Sequence, residues 1–488
     1  MVEKNIRLVK GLDSNQILTW FAVLSSVYRP SKDEKEAIDY IKDFVSSKGL
    51  VWSMDNSAAK IKDHKNTDTG NLLVVIPATK LNAQSVCLQC HVDMVCEPQG
   101  HDFVEDPIEF VVDGDWLKAK ETSLGADNGI GVAAAMQIMD TWQDFDHGPI
   151  EILFTISEET GLDGAFNIDM KIESKLFLNL DSENVDEICV SCAGGARTVG
   201  KYEFQPVNSP ANRTSFTIGV RGLRGGHSAI NIVDSNNAIK ILVSVLKNLY
   251  ESFEISISSI NGGTKMNAIP REAEAVIFVP NRCLDNFDEV MQSLAADLKP
   301  GNEENFELWM KPGDESSSVI SVSDTLKIMD CLDNMTNGLI KMSDIPDLPQ
   351  TSTNIGVIKT EGNTCIVETM QRSSVEKDLD NIICDVTNTF LDNEFVSKTE
   401  NRYSGWAFED TNLLKTAKSV YTTLFNEDAE IKGTHGGLEC GIIKGLYPDM
   451  QIISIGPTID NPHSPSERVS ISSVDKFWTF LINLLKAV

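Results

Sequence analysis

No run of eighteen apolar residues occurs anywhere in the chain, so no stretch is long enough to cross a bilayer as a helix. Residues 1–31 lack the apolar core and small-residue site of a secretory leader, and the expectation is a cytoplasmic protein. Basic residues are scarce: 42 Lys and Arg face 72 Asp and Glu, giving a formal charge of −30 and a pI near 4.6. A field of that sign repels phosphates, which argues against nucleic acid or an anionic membrane surface as a partner. The ten cysteines are scattered without a dense framework, which suits reduced thiols. Cys87/Cys90 and Cys189/Cys192 have zinc-like spacing, but residues three apart in a strand face opposite sides, so both pairs read as core. Histidine is rare, with only seven in the chain, so each one at a strand end carries weight.

What is present is size and an ordinary globular composition. At 488 residues and 41% hydrophobic content, the chain is about three times a typical domain and calls for two or more cores.

Residues 86–97, VCLQCHVDMVCE, organise the rest. An apolar strand runs straight into His91 and then Asp93, two apart and therefore on one face. One imidazole nitrogen can bind a metal while the carboxylate accepts from the other N–H. A solvated strand end would look the same in isolation, but the arrangement recurs. The apolar strand 150–156 ends in Ser157-Glu158-Glu159, the strand 176–180 ends in Asp181, and the strand 451–455 is followed by His463. Asp127 follows a glycine-loosened turn where a helix N-cap would sit, ahead of an alanine-rich helix. Apolar strands alternating with helices at 14–28, 33–48 and after 127 make an α/β sheet, whose ligands sit beyond the strands' carboxyl ends.

Between about 197 and 400 the pattern changes to βαββαβ, followed by a second α+β set without a residue-level repeat. Because the sheet resumes at 451–455, this region reads as an insertion. The expected domains are therefore 1–196 and 400–488 forming one domain, with 197–399 as an inserted lid.

The candidate site holds two histidines and three carboxylates, with one Glu and one Asp beside them. Two metal ions need a bridging ligand and roughly two terminal ligands each. Asp127 serves as the bridge, His91 and Asp181 serve one ion, and Glu159 and His463 serve the other. Such a donor set suits zinc and tolerates manganese or cobalt. Glu158, left unligated, is placed to take a proton from a metal-acidified water and deliver it to a leaving amine.

HVDMV, LGADNGIG, SEETGLDGAF, NLDSE, CAGG, RGLRGGHS, NGGTKMNAIPREA, HGGLECG and SIGPTIDNPHSPSERV, in that order, closely resemble the dinuclear zinc metallopeptidases, best of all their non-specific dipeptidase (aminoacyl-histidine dipeptidase) branch. The resemblance spans nearly the whole chain. It implies a zinc-peptidase-like mixed sheet flanked by helices, with a lid of two ferredoxin-like units. It implies two zinc ions held by His91, Asp127, Glu159, Asp181 and His463, with Asp93 orienting and Glu158 as general base. It places a cis peptide after Asp127, gives His227 the task of polarising the scissile carbonyl, and assigns the substrate carboxylate to Asn267, Arg372 and the backbone at Gly436-Gly437, with His435 alongside. A homodimer through the lid, closure of the lid over a small dipeptide such as β-alanyl-histidine, and a cytoplasmic setting complete the expectation. An aminoacylase or tripeptidase of the same family, or a metal-binding homologue without catalysis, remains open at this level.

Overall fold

The fold was taken from a computed structural model that describes residues 1–313 and 318–488. The chain divides into two units, one of Met1–Ser191, Phe408–Gly433 and Leu438–Val488, the other of Cys192–Ala407 with Thr434–Gly437. These cuts lie a few residues outside the 196/197 and 399/400 expected from the sequence. The reason is the strand Gly194–Glu203, which pairs along its length with Thr364–Ser373 and so belongs with the second unit. Thr434–Gly437 joins it because the Ala193 N–H donates to the carbonyls of Thr434 and Gly436.

In the first unit eight strands form one mixed sheet, in the order 51–54, 72–76, 150–155, 86–91, 176–179, 451–454, 187–192, 430–434. The four central strands, Ile150–Thr155, Val86–His91, Leu176–Asn179 and Gln451–Ser454, run parallel. They are buried on both faces and mostly apolar, with Gln89, Thr155, Asn179 and Ser454 among the buried polar exceptions. Val86–His91 and Ile150–Thr155 are buried at every position. The helix Ala126–Thr141 is buried from Gly129 to Met139. Gly129 permits its close approach, since a Cβ there would lie 2.7 Å from the Phe21 ring. A separate four-stranded sheet joins the hairpin Phe110–Asp113/Trp116–Ala119 to a second hairpin, Ile459–Asp460/Arg468–Ser470. The loop of that second hairpin carries His463 and Glu467.

The second unit is built on a sheet ordered 307–312, 213–221, 273–280, 256–262, 349–361, 364–373, 194–203, 396–403. Its first four strands, with the helices Ala238–Phe253 and Leu284–Asp297, follow the chain order βαββαβ in a ferredoxin-like arrangement. The last four repeat it with Val322–Asn334 and Glu376–Asp392, but their first strand is Gly194–Glu203, which precedes the other half in sequence. One ferredoxin-like unit is thus inserted into the other after its first strand. The two halves share a continuous sheet and one buried apolar core. None of the ten cysteines forms a disulfide.

Candidate active site

Seven of the residues singled out in the sequence lie in the first unit, at the carboxyl ends of its central parallel strands or in loops brought to them. His91 ends its strand opposite Thr155 and is fully buried. Its Nδ1 faces Asp93, 3.2 Å from the backbone oxygen and 3.4 Å from Oδ1. That fixes the proton on Nδ1 and turns Nε2 toward Asp127 Oδ1 at 3.0 Å and Asp181 Oδ1 at 3.3 Å. The other Asp127 oxygen, Oδ2, lies 3.1 Å from His463 Nε2, which also stands 2.9 Å from Glu159 Oε2. Asp127 therefore has one oxygen toward each histidine, and His91, Asp127 and Glu159 offer ligand atoms within 4.8 Å of one another.

Asp93 does more than face His91: Oδ1 accepts the Glu158 N–H at 3.0 Å and Oδ2 the Glu159 N–H at 3.2 Å. The turn that bears this pair starts at Ser157, whose φ is +52°. The Ser157 N–H and hydroxyl both donate to the buried carboxylate of Glu34, at 2.8 and 2.7 Å. The Glu158 carboxylate itself makes no hydrogen bond or ion pair among the described residues.

Asp127 is not the helix cap that its sequence position suggested. The N-cap is Gly125, and Asp127 has non-helical backbone angles of −79° and 113°. The Asp127–Asn128 peptide is cis. The Glu467 carboxylate accepts the N–H groups of Leu124, Gly125, Ala126 and Asp127, in the turn that precedes the break in the helix at Asp127-Asn128. Nothing in the sequence could pair Glu467 with donors some 340 residues away. Arg29 and Glu439 were missed for the same reason. Arg29 is buried and donates to the carbonyls of Val92, Asp93 and Gly125. Glu439 is buried beneath His91, bonded to Gln89 and Thr155, and Gln89 in turn accepts from Asn179 at 2.6 Å.

The electrostatics of this cluster call for cations. Burial pushes Asp181 up to about 7, with Asp127 and Glu159 adding to it and His91 opposing. Burial likewise pushes Glu439 up to about 8 and Glu158 well above the usual carboxyl range. Burial works against charge on His91, but Asp181, Asp127 and Asp93 outweigh it and raise its pKa well above normal. Bonds to Asp127 and Glu159 raise His463 to about 11. Asp127 moves the other way: burial opposes its charge, but the two histidines win and hold it below the usual range. Among the described residues buried Oε1 of Glu159 has no hydrogen-bond partner, and buried Oδ1 of Asp181 has only its ion-pair contact with His91 Nε2. An orphaned acceptor, clustered carboxylates and two imidazoles that share one aspartate fit a site for divalent cations.

The remaining six lie in the second unit. The two-stranded ribbon Gly226–His227/Ala268–Ile269 sets His227 beside Asn267, whose carbonyl accepts the Ser228 N–H at 2.8 Å. His227 is exposed; its Nδ1 accepts the Ala229 N–H at 3.2 Å, which puts its own proton on Nε2. Burial of the ring and the charge of Arg372 lower its pKa. Arg372 is buried, donates to the Tyr403 hydroxyl at 3.3 Å, and has no hydrogen-bond partner for Nε among the described residues. His435 is buried with Nε2 2.7 Å from Ser352 Oγ, and burial with Arg372 pushes it down to about 3, so it is neutral. Gly437 lies against Tyr403, where a Cβ would stand 2.8 Å from the ring, and the Gly436 N–H donates to Thr434 Oγ1 at 3.0 Å.

A family model for the peptidase dimerisation domain of M20 peptidases matches residues 211–305, which is most of the inserted ferredoxin-like half, and one for peptidase family M28 matches residues 71–217. The chain is 35% identical over 485 residues to the cytosol non-specific dipeptidase of Escherichia coli K12, covering 96% of both. It superposes on the crystal structure of aminoacylhistidine dipeptidase from Vibrio alginolyticus with a TM-score of 0.91 and 30% identity over 98% of each chain. The aminopeptidase PepT of Bacillus cereus shares the fold, with a TM-score of 0.58 and 16% identity over 98% of this chain and 99% of that one. No helix among the described residues is long and apolar enough to cross a membrane. The chain therefore belongs to the cytosol non-specific dipeptidase branch of the metal-dependent M20 peptidases and is a peptide-bond hydrolase.

Proposed function

We propose that this chain is a dinuclear zinc dipeptidase that hydrolyses dipeptides with free amino and carboxyl termini, including Xaa-His dipeptides such as β-alanyl-histidine. The observation that carries the reading is the shared aspartate: Asp127 turns Oδ1 to His91 and Oδ2 to His463. In this reading His91 and Asp181 would hold one zinc ion and Glu159 and His463 the other, with Asp127 shared between the two positions; manganese or cobalt could substitute. Bound there, the ions supply Lewis-acid activation of water and of the scissile carbonyl.

The protein's own groups do the rest. Glu158 takes the proton of the attacking water and passes it to the leaving amine. Its freedom from partners and its buried position suit an acid and base that must exchange a proton near neutral pH. Asp93 holds the backbone at Glu158 and Glu159 and fixes the His91 tautomer. His227, with its proton on Nε2, donates to the carbonyl oxygen as negative charge develops there. Arg372, Asn267 and the backbone at Gly436-Gly437, with neutral His435 alongside, receive the substrate carboxylate. The match of residues 211–305 to a dimerisation domain supports a homodimer formed through that part of the chain, and the cytosolic relative supports the same setting here.

The test is hydrolysis of β-alanyl-histidine and Leu-Gly by zinc-loaded protein, with Glu158→Gln in parallel. The expected result is cleavage of dipeptides by the wild type, and a variant that retains both metals with kcat down by about 10²–10⁴-fold. Cleavage of N-acetyl amino acids or tripeptides in preference to dipeptides would overturn the substrate assignment.

A further inference from the structure

The loop that leads to Asp127 is held from both sides by buried charges that belong to neither the metal set nor the substrate set. On one side, Glu467 Oε2 accepts the N–H groups of Leu124 at 2.7 Å and Gly125 at 2.8 Å, and Oε1 accepts those of Ala126 at 2.7 Å and Asp127 at 3.3 Å. On the other, Arg29 Nη2 donates to the Gly125 carbonyl at 2.7 Å, and Nη1 donates to the carbonyls of Val92 and Asp93, the residues that follow His91. Glu467 is 2% exposed and Arg29 1%. Between them Gly125 has φ +67°, and a Cβ there would stand 2.6 Å from Arg29 Nη2 and 2.7 Å from Met94 Sδ, so only glycine fits.

Two consequences follow from this clamp. The N–H groups of this turn, before the break at Asp127-Asn128, need an acceptor, and Asp127 is the carboxylate nearest to them in sequence. Because Glu467 supplies the anion from elsewhere, both oxygens of Asp127 stay available to the two histidines. Glu467 also sits in the same hairpin loop as His463, its own N–H donating to the Ser464 carbonyl at 3.0 Å. The carboxylate that fixes the Asp127 loop is therefore four residues from one histidine of the pair that Asp127 joins.

We propose that Glu467 is the positioning residue for the second metal position: it ties the His463 loop to the Asp127 loop and so sets the spacing of His463, Asp127 and Glu159, while the His91–Asp181 position depends on it far less. This rests on the two-metal reading above. Replacing Glu467 with glutamine turns an NH2 group toward two of the four N–H donors and removes the charge that attracted them.

The full-length, metal-free protein is titrated with Co2+ alone, followed by calorimetry and visible absorption, for wild type and Glu467→Gln. The expected result is a first equivalent bound within about 3-fold of wild type and a second weakened by at least about 10-fold, a size typical of lost support behind a ligand. Excess Co2+ should restore kcat toward wild type with KM unchanged. Equal weakening of both equivalents, or no weakening of either, overturns the proposal.

Amide exchange in the metal-free state gives a second reading. Residues 124–127 should be protected in wild type, because Glu467 and not the metal holds them, and should exchange at least about 10-fold faster in the variant while Val86–His91 is unchanged. Rapid exchange of these amides in wild type overturns the proposal even if the glutamine variant does not fold, and Glu467→Asp then provides the variant titration. A wild type that takes up only one equivalent would sink the two-metal reading, and the amide exchange would still decide the clamp.

Discussion

Stripped of metal, this protein should lose stability as the pH rises from about 5 to about 9, and metal should abolish that slope. Asp181 ordinarily titrates at 3.8 and is raised to about 7 in the fold, and Glu439 goes from 4.5 to about 8, in both cases chiefly through burial. A carboxyl raised by folding keeps a proton that the unfolded chain has already released, so folding becomes less favourable as the pH climbs through that interval. The imidazoles act in the same sense. With their folded values raised above 6.5, they stabilise fully below that pH and lose the contribution as the pH rises further. Asp127 is lowered, so its contribution is complete above 3.8 and constant across the window. At about 1.4 kcal/mol per unit, Asp181 alone accounts for about 3 kcal/mol between pH 5 and its folded value of about 7. With about 2–4 °C per kcal/mol for a unit of this size, the transition of the first unit should fall by roughly 10 °C. Divalent cations replace the protons, leave the carboxylates ionised at every pH in the window and flatten the curve. The assay is scanning calorimetry of chelator-stripped and zinc-loaded protein across that range at fixed ionic strength. A flat or rising curve in the stripped protein, or an equal slope in both forms, would refute the reasoning.

Asp93→Asn should weaken metal binding by about 10–100-fold, because an amide cannot accept from both the Glu158 and Glu159 N–H groups and orient His91 as well; competition with a chromophoric chelator measures it. Arg372→Lys should raise KM for a dipeptide by about 10-fold or more and leave kcat within a few fold, since a point charge replaces a planar fork; steady-state kinetics with the dipeptide amide as control, which should show no such change, checks the assignment.

The strand ends were legible in the sequence because each is a local event. A run such as IEILFTI stops where Ser157-Glu158-Glu159 begins, and a period of two puts His91 and Asp93 on one face whatever the rest of the chain does. Two α+β units in the inserted region were mostly legible too, from helix and strand periodicity between about 197 and 400, while their ferredoxin-like form was implied by the family resemblance. What escaped was pairing across long separations. The expected boundary at 196/197 cut through Gly194–Glu203, because only its partners, Thr364–Ser373 and Val396–Tyr403, make it one strand, the first of the second half.

The local chain also misplaced the cap. By position Asp127 is the natural N-cap, and only the tertiary structure brings Glu467 to the four N–H groups and frees the aspartate. Arg29, which follows the helical stretch 14–28 and carries no motif, is buried against three carbonyls. The sequence by itself determined which chemical groups this protein brings to its site, since residue type and strand-end position are properties of short segments. The tertiary structure decided which of them share a proton or a cation and which buried charges hold them in place, because hydrogen bonds and burial depend on neighbours hundreds of residues away.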